Sequence, residues 1–383
     1  MIKKRVLSIC YITPNKLGSF EEFIIALSKK LKEKGFSHVV IFTGEPLKGI
    51  YDRLLDEGAK IETINPSYSY LKDAFLFYKL IKKFNPSIVH FHYYQPYTII
   101  NYLAFFKDIK IIYSDRLSYK KPKNWFKKIL RKIYYPTRAK IFGFGINKII
   151  CVSEYVKLKH IREYKVNPQK LIVIYNGINT NKYKRIDTKD NKIINEFNIK
   201  SEDIIITCVA YLAKEKGIQY LIKAAPIIIE NVPNVEFFII GDGPYRKNFE
   251  ALVKNYGLKN YFIFTGSRSD VENFYSITSC VVVPSIWEEA FCFVAAEAMS
   301  TEVPVVAFDS GGLREVMADG ETGYLVPKKD HLALAEKIIE IIKNRDTSKM
   351  MGRKGKERVI EKFSLEKCVD SYVRVYEEVL NIK

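Results

Sequence analysis

The segment Ser285-Ile286-Trp287-Glu288-Glu289-Ala290-Phe291-Cys292-Phe293-Val294-Ala295-Ala296-Glu297-Ala298-Met299 concentrates more chemistry than any other stretch of the chain. An apolar run, Val281 to Val283, stops at Pro284; an acidic loop follows, and a helix opens near Cys292 or Phe293. Glu289 and Glu297 stand eight positions apart, one in the loop and one about a turn inside the helix. Both carboxylates then lie along one wall of a cleft. Between them, the first N–H groups of the helix have no partner within it, and with the positive end of the helix dipole they suit an anion such as phosphate. The carboxylates accept hydrogen bonds from ribose and sugar hydroxyls. Phosphate in the middle and hydroxyls at both ends is what a nucleotide-sugar offers.

Other segments add to this. Lys16-Leu17-Gly18-Ser19-Phe20-Glu21 runs from a strand end into a helix, where Gly18 permits a tight turn and the next N–H groups could approach a phosphate. Lys214-Glu215-Lys216-Gly217 occupies the equivalent place in the second half, where a lysine can neutralise a diphosphate; the bland alternative is a solvated surface lysine. Gly241-Asp242-Gly243-Pro244 and Gly311-Gly312-Leu313-Arg314-Glu315 also follow strands. Neither has the third glycine of a dinucleotide fingerprint, nor the acidic residue on the next strand, which disfavours an NAD enzyme. His90 and His92 alternate on a strand and face one side. With no Asp-x-Asp, and with His38, His160 and His331 in unrelated places, a metal site gives way to His92 as a hydrogen-bonding group facing the cleft.

These residues need a frame to position them. Short β-branched runs alternate with amphipathic helices, the pattern of an α/β chain with parallel sheets. The first half predicts strands at Val6–Tyr11, Val39–Phe42, Ile88–His92, Lys110–Tyr113, Lys148–Val152 and Leu171–Tyr175; the second at Ile204–Ala210, Val235–Ile240, Tyr261–Phe264, Cys280–Val283 and Val303–Phe308. A helix over Glu21–Lys34 carries Phe23, Leu27 and Leu31 on one stripe and closes at Gly35. The polar stretch Asn176 to Asp203 marks a hinge near Asn176-Gly177. We therefore expect two Rossmann-like, doubly wound parallel-sheet domains facing a cleft: 1–175, then 176–362, with a last helix in 363–383 packing back on the first domain. Ligands would lie at the carboxyl ends of the strands.

The 383 residues are 48% apolar, enough for two cores, with no run of 18 apolar residues to span a bilayer and no signal-peptide cleavage pattern at the start. Six cysteines without CxxC spacing read as buried thiols in a reducing cytoplasm. The net charge of +19 calls for anionic partners, and it is uneven: Arg116 to Ser153 contains no Asp or Glu, while Tyr119 to Lys140 carries nine Lys and Arg. Trp125, Phe126, Ile129, Leu130 and Ile133 form a stripe flanked by Lys127, Lys128, Arg131 and Lys132. Such a helix suits an anionic membrane surface, placing the protein on the inner face of the membrane; packed on its own domain, it would be structural. No nucleic-acid-reading module accompanies the charge.

Together these segments resemble the GT-B glycosyltransferases of family 4, over nearly the whole chain. The carriers are Glu289-x7-Glu297, Lys216-Gly217, Gly241-Asp242-Gly243-Pro244, Asn176-Gly177-Ile178-Asn179, and Gly311-Gly312-x-x-Glu315 with Asp319-Gly320-Glu321-Thr322-Gly323. The resemblance implies metal-free, retaining transfer of a sugar from a nucleoside diphosphate to a cell-envelope glycan or lipid-linked acceptor, without a cofactor. It implies that Lys216 pairs with the diphosphate, Glu289 binds the donor sugar, Glu297 the ribose, and the N–H groups of Phe293 and Val294 the phosphates. The loop around Ser267 and Arg268 would seat the base. Four positions depart from the family pattern. Tyr211 stands where the family has Arg, and Arg116, which stays protonated, stands where it has His. Arg116 would meet donor or acceptor oxygens instead. Ser19 and Cys292 each replace a glycine, Cys292 directly after Phe291, and would narrow the donor pocket. Two rival readings remain: a non-catalytic relative binding glycan, membrane or a partner transferase, and a nucleotide-sugar epimerase of the same architecture.

Overall fold

The computed structural model describes the backbone of residues 4–65, 69–106, 109–117, 125–186 and 191–382, and their side chains except 70, 103–106 and 125–131. The chain divides into two compact units. Unit 1 holds strands β1 (Arg5–Cys10), β2 (Ser37–Phe42), β3 (Lys60–Thr63), β4 (Ile88–His92), β5 (Lys110–Asp115), β6 (Ile146–Cys151) and β7 (Leu171–Val173). Its helices are α1 (Ser19–Glu33), α2 (Lys48–Asp56), α3 (Tyr70–Phe84), α4 (Trp125–Phe142) and α5 (Glu154–Tyr164). Unit 2 holds β8 (Ile204–Val209), β9 (Val235–Ile240), β10 (Phe262–Gly266), β11 (Cys280–Val283), β12 (Val305–Phe308) and β13 (Gly323–Val326). Around them run α6 (Lys192–Phe197), α7 (Ile218–Asn231), α8 (Arg246–Asn255), α9 (Val271–Ile277), α10 (Phe293–Ser300), α11 (Leu313–Val316), α12 (His331–Lys343) and α13 (Arg345–Lys362). The last helix, α14 (Leu365–Val379), belongs to unit 1.

Each unit is a parallel sheet wound in both directions from a central pair. The orders are β3-β2-β1-β4-β5-β6-β7 and β10-β9-β8-β11-β12-β13. Central strands are buried on both faces, which is why they read as continuous apolar runs. In unit 2, β9 and β8 pack beneath α7 through Phe237, Ile239, Leu221 and Ile228. In each sheet the winding reverses between two strands, β1 and β4 or β8 and β11, and loops leaving that point diverge. Two edge strands, β3 and β13, lie outside the predicted set, and β5 runs on to Asp115.

Unit 1 is finished by α14. Its apolar face, Cys368, Val369, Tyr372, Val373 and Tyr376, packs with Phe20, Phe23 and Leu27 of α1. The chain leaves unit 1 at Gly177 and re-enters at Leu365, and the two passes lie side by side. The Ile178 N–H donates to the Phe363 carbonyl at 2.7 Å, and a Cβ on Gly177 would come within 2.6 Å of Leu365 Cα.

Polar groups thread this core. His90 Nδ1 meets the Tyr376 hydroxyl at 2.5 Å and Nε2 meets Ser114 Oγ at 2.8 Å. His38 lies between Ser8 Oγ and Ser28 Oγ, each at 2.8 Å. Burial pushes the His38 imidazole down to about 3, and pushes His90 and His92 well below the ordinary histidine range. All three are neutral in the fold, whereas the unfolded chain protonates them near pH 6.5. Their contribution is therefore intact above that value and lost as pH falls below it toward 3. For His38 alone the loss between pH 7.5 and 5.5 amounts to roughly 1 kcal/mol of unfolding free energy, and the buried His90 and His92 act in the same direction. Urea titrations at the two pH values should show it, with a smaller loss in His38→Gln; equal midpoints in the wild-type chain would contradict it.

Candidate active site

Four loops of unit 2, those after β8, β9, β11 and β12, are joined through their backbones. Leu212 N–H donates to Asp242 O at 2.9 Å, and Ile286 N–H to Glu215 O at 3.0 Å. Gly312 N–H donates to Glu289 O at 2.7 Å. Two glycines permit this closeness. Gly217, at φ +75°, would place a Cβ 1.8 Å from the Pro284 carbonyl oxygen, and Gly311, at φ +53°, one 2.3 Å from that of Glu289. Left-handed backbone and contact with a carbonyl both exclude a side chain there.

On this frame Lys216 Nζ donates to Glu289 Oε1 at 2.7 Å, and Ser285 Oγ donates to the same oxygen at 2.7 Å. Glu289 is 8% exposed. Burial alone would lower the pKa of the Lys216 ammonium; the Glu289 carboxylate outweighs it and holds the ammonium above its ordinary value. A permanent cation thus sits beside the start of α10. That helix opens at Cys292 with no side-chain cap and no acidic residue in its first turn. Phe293 and Val294 are half-buried there, leaving a positive helix end beside the lysine. One turn on, Glu297, also 8% exposed, accepts from the Tyr275 hydroxyl at 3.3 Å. Lys216, Glu289, Glu297 and the α10 N-terminus are therefore gathered in one unit, as their spacing predicts.

Other expected residues fall differently. Tyr211 is 64% exposed on the loop after β8. Phe291 is buried, ring to ring with Phe293 and Phe363 at 5.5 Å each, so it shapes the loop from beneath. The Cys292 thiol is buried and pushed up to about 12, first by burial and then by Glu289; it is a packing group. Ser267 is exposed, but Arg268 is not open to a base: its guanidinium clasps Glu196 at 2.6 and 2.8 Å and Asp270 at 2.9 and 3.0 Å. Glu288, to which the sequence reading gives no role, is buried and held by Lys328 Nζ at 2.8 Å.

Unit 1 corrects two expectations and adds a contact. The Gly18 N–H donates to Glu21 Oε2 at 3.0 Å, so a carboxylate of the chain caps the turn just before the N–H groups expected to approach a phosphate. The signal was present: Glu21 is the third residue of α1, where an acid reaches back to the cap. His92 is not a hydrogen-bonding group facing a cleft. Its ring is wholly buried against His90, Phe20 and Phe23, and neither nitrogen has a hydrogen-bond partner among the described residues. Alternation put both histidines on one face of β4, but that face is covered by α1 and α14. Arg116 is buried too. One Nη donates to Asn176 Oδ1 and the other to the Tyr372 hydroxyl at 2.9 Å, and the guanidinium lies over the rings of Phe23, Phe20 and Tyr372. It is a positioning cation of the core rather than a group presented to an acceptor. Trp125, Lys127, Lys128 and Arg131 lie on α4, but their side chains are outside the described ones; Lys132 is exposed.

Residues 20–182 match the family described as Glycosyltransferase Family 4, and residues 189–358 match Glycosyl transferases group 1. The chain belongs to the group 1, family 4 glycosyltransferases. This glycosyltransferase is 26% identical over 372 residues, 92% of each chain, to N-acetyl-alpha-D-glucosaminyl L-malate synthase of Bacillus anthracis. It is 29% identical over 228 residues, 59% of this chain and 60% of the other, to a capsular polysaccharide biosynthesis glycosyltransferase of Staphylococcus aureus. A glycosyltransferase from Rickettsia africae ESF-5 matches it with a TM-score of 0.81 at 25% identity, covering 99% of both chains. An Anabaena protein crystallised with UDP-glucose matches at 0.78 and 17% identity, over 98% of this chain and 99% of that one. The two parallel-sheet units and these neighbours make the fold of the glycosyltransferase GT-B.

Because Gly217 holds the lysine loop against Pro284, Gly217→Ala should destabilise the glycosyltransferase by about 2–4 kcal/mol, through strain and overpacking together. Urea unfolding followed by circular dichroism would measure this. A wild-type midpoint would show that the loops do not need the contact.

Proposed function

We propose that this glycosyltransferase takes its sugar from a nucleoside diphosphate donor and transfers it, with retention and without a metal, to a cell-envelope glycan or lipid-linked acceptor. The observation that carries the reading is the Lys216–Glu289 pair at 2.7 Å beside the uncapped start of α10. Breaking the bond to the anomeric carbon leaves negative charge on the diphosphate. Fixed cations and N–H groups already aimed at that charge stabilise it without reorganising. An ammonium has three donors, so Lys216 can keep Glu289 and still reach a phosphate oxygen. Glu289 then accepts from sugar hydroxyls and Glu297 from ribose.

The UDP-glucose held by the Anabaena neighbour supports the donor class, and the capsular polysaccharide named for the Staphylococcus relative supports a glycan acceptor, while the glucosaminyl product named for the Bacillus relative is an L-malate derivative. Work on a lipid-linked acceptor would place the protein at the inner face of the membrane, with an anionic surface as partner. Among the described residues no helix is long and apolar enough to cross a membrane.

Thermal stabilisation by a panel of nucleoside diphosphates and their sugars, followed by donor turnover, tests the reading. Lys216→Ala and Glu289→Ala should each lower kcat by roughly 10²–10³-fold, and Glu297→Gln should weaken donor binding about tenfold. NMR of the product should show the donor's anomeric configuration, and chelator should leave the rate unchanged. Full turnover in Lys216→Ala would sink the diphosphate assignment.

A further inference from the structure

The described surface of unit 1 carries an apolar groove that the donor chemistry does not use. It lies between the start of α3, the turn after β4 and the second half of α4, and encloses about 620 Å³. Leu71, Ile99, Ile133, Tyr134, Ile141 and Phe142 line it. Leu71 is 69% and Ile133 67% exposed. From Leu71 the apolar surface continues along α3 through Phe75, 61% exposed, and Tyr78, at the spacing of one helix face. A globular chain does not usually leave such a contiguous strip in water without a binding role.

The flanks are cationic. Arg138 stands at the rim, its Nε on the Tyr97 carbonyl at 2.9 Å and its guanidinium 5.9 Å from the Tyr134 ring. On the other flank of α4 a second cavity, about 410 Å³, is lined by Lys140, Lys165 and Lys170 together with Asn167. Among the described residues no Asp or Glu lines either cavity, and none occurs in the sequence from Arg116 to Ser153. The occupant should therefore be apolar along one part and anionic at another. A second copy of a chain of net charge +19 would bring like charge to these rims. The volume falls in the range of small-molecule pockets, and one hydrocarbon chain fits it better than a folded partner does.

We propose that the α3–α4 groove seats the hydrocarbon chain of an anionic lipid, the carrier of the acceptor, with its phosphate on the basic flank of α4. This rests on the lipid-linked reading of the acceptor, and it assigns to unit 1 a lipid site separate from the donor loops of unit 2.

The test uses the whole protein without donor. Calorimetric titration with dodecyl phosphate, below its micelle concentration, is compared with inorganic phosphate at the same ionic strength. Dodecyl phosphate should bind at least about tenfold more tightly, since each buried methylene adds to affinity. Leu71→Asp combined with Ile133→Asp, and separately Thr137→Trp, which fills the groove, should each weaken that binding about tenfold or more. Melting temperature and UDP binding should stay unchanged, since the altered side chains are exposed and lie in unit 1. Equal affinity for the two probes, or wild-type affinity in both variants, overturns the proposal. So does a concentration-dependent dimer abolished by the same changes, which would give the groove to a second copy. Because no sugar transfer is read, failure here leaves the donor reading standing, and failure of donor turnover leaves the groove result standing.

Discussion

Glu289 joins the loops after β8, β11 and β12 by two routes at once. Its carboxylate takes the Lys216 ammonium and the Ser285 hydroxyl, and its carbonyl takes the Gly312 N–H. Burying an ion pair brings little net stability, because desolvation offsets the attraction. What it does bring is position. Removing either partner strands a charge, so the loops after β8 and β11 are held to one register, and the loop after β12 is locked to the same residue through main chain. The cation therefore stands next to the positive end of α10 before any ligand arrives, which is the preorganised arrangement that stabilises developing negative charge.

Unit 1 handles charge in the opposite way. Arg116 is sunk among Phe20, Phe23 and Tyr372, its two Nη atoms held by an amide and a phenol and its Nε left without a partner, with no carboxylate bonded to it among the described residues. A guanidinium tolerates this better than an ammonium, because it is weakly hydrated and its flat faces stack on rings. Where the family's pattern has a histidine, this chain has a cation that ties the end of β5 to Asn176 and to α14. The substitution that looked like altered chemistry is, in the structure, a change in how the core is fastened.

Much of this was legible in the sequence. Central strands announce themselves as β-branched runs, and Glu289, Glu297 and Lys216 are brought together because strand ends in a parallel sheet share one edge. Two edge strands, β3 and β13, escaped notice for physical reasons: Lys60–Thr63 is polar at three of its four positions, and Gly323–Val326 is four residues opening on a glycine. The face of a strand is legible from alternation, but what covers that face is not. His92 was misplaced on that account, since its covering helix α14 lies far along the chain. The apolar strip of α3 was missed because helical periodicity alone does not distinguish a stripe turned inward from one left outside.

The return of the chain end to unit 1 bears on how the molecule is made. Tyr372 and Tyr376 supply hydroxyls to Arg116, Ser114 and His90, so unit 1 lacks part of its interior until α14 has been synthesised. Domains usually settle in order as they leave the ribosome, amino-terminal first. Here the carboxy-terminal unit, whose described residues run from Ile178 to Ser364, can close before the one synthesised ahead of it. A truncation near residue 365, which removes α14, would therefore harm the half of the protein that was translated first.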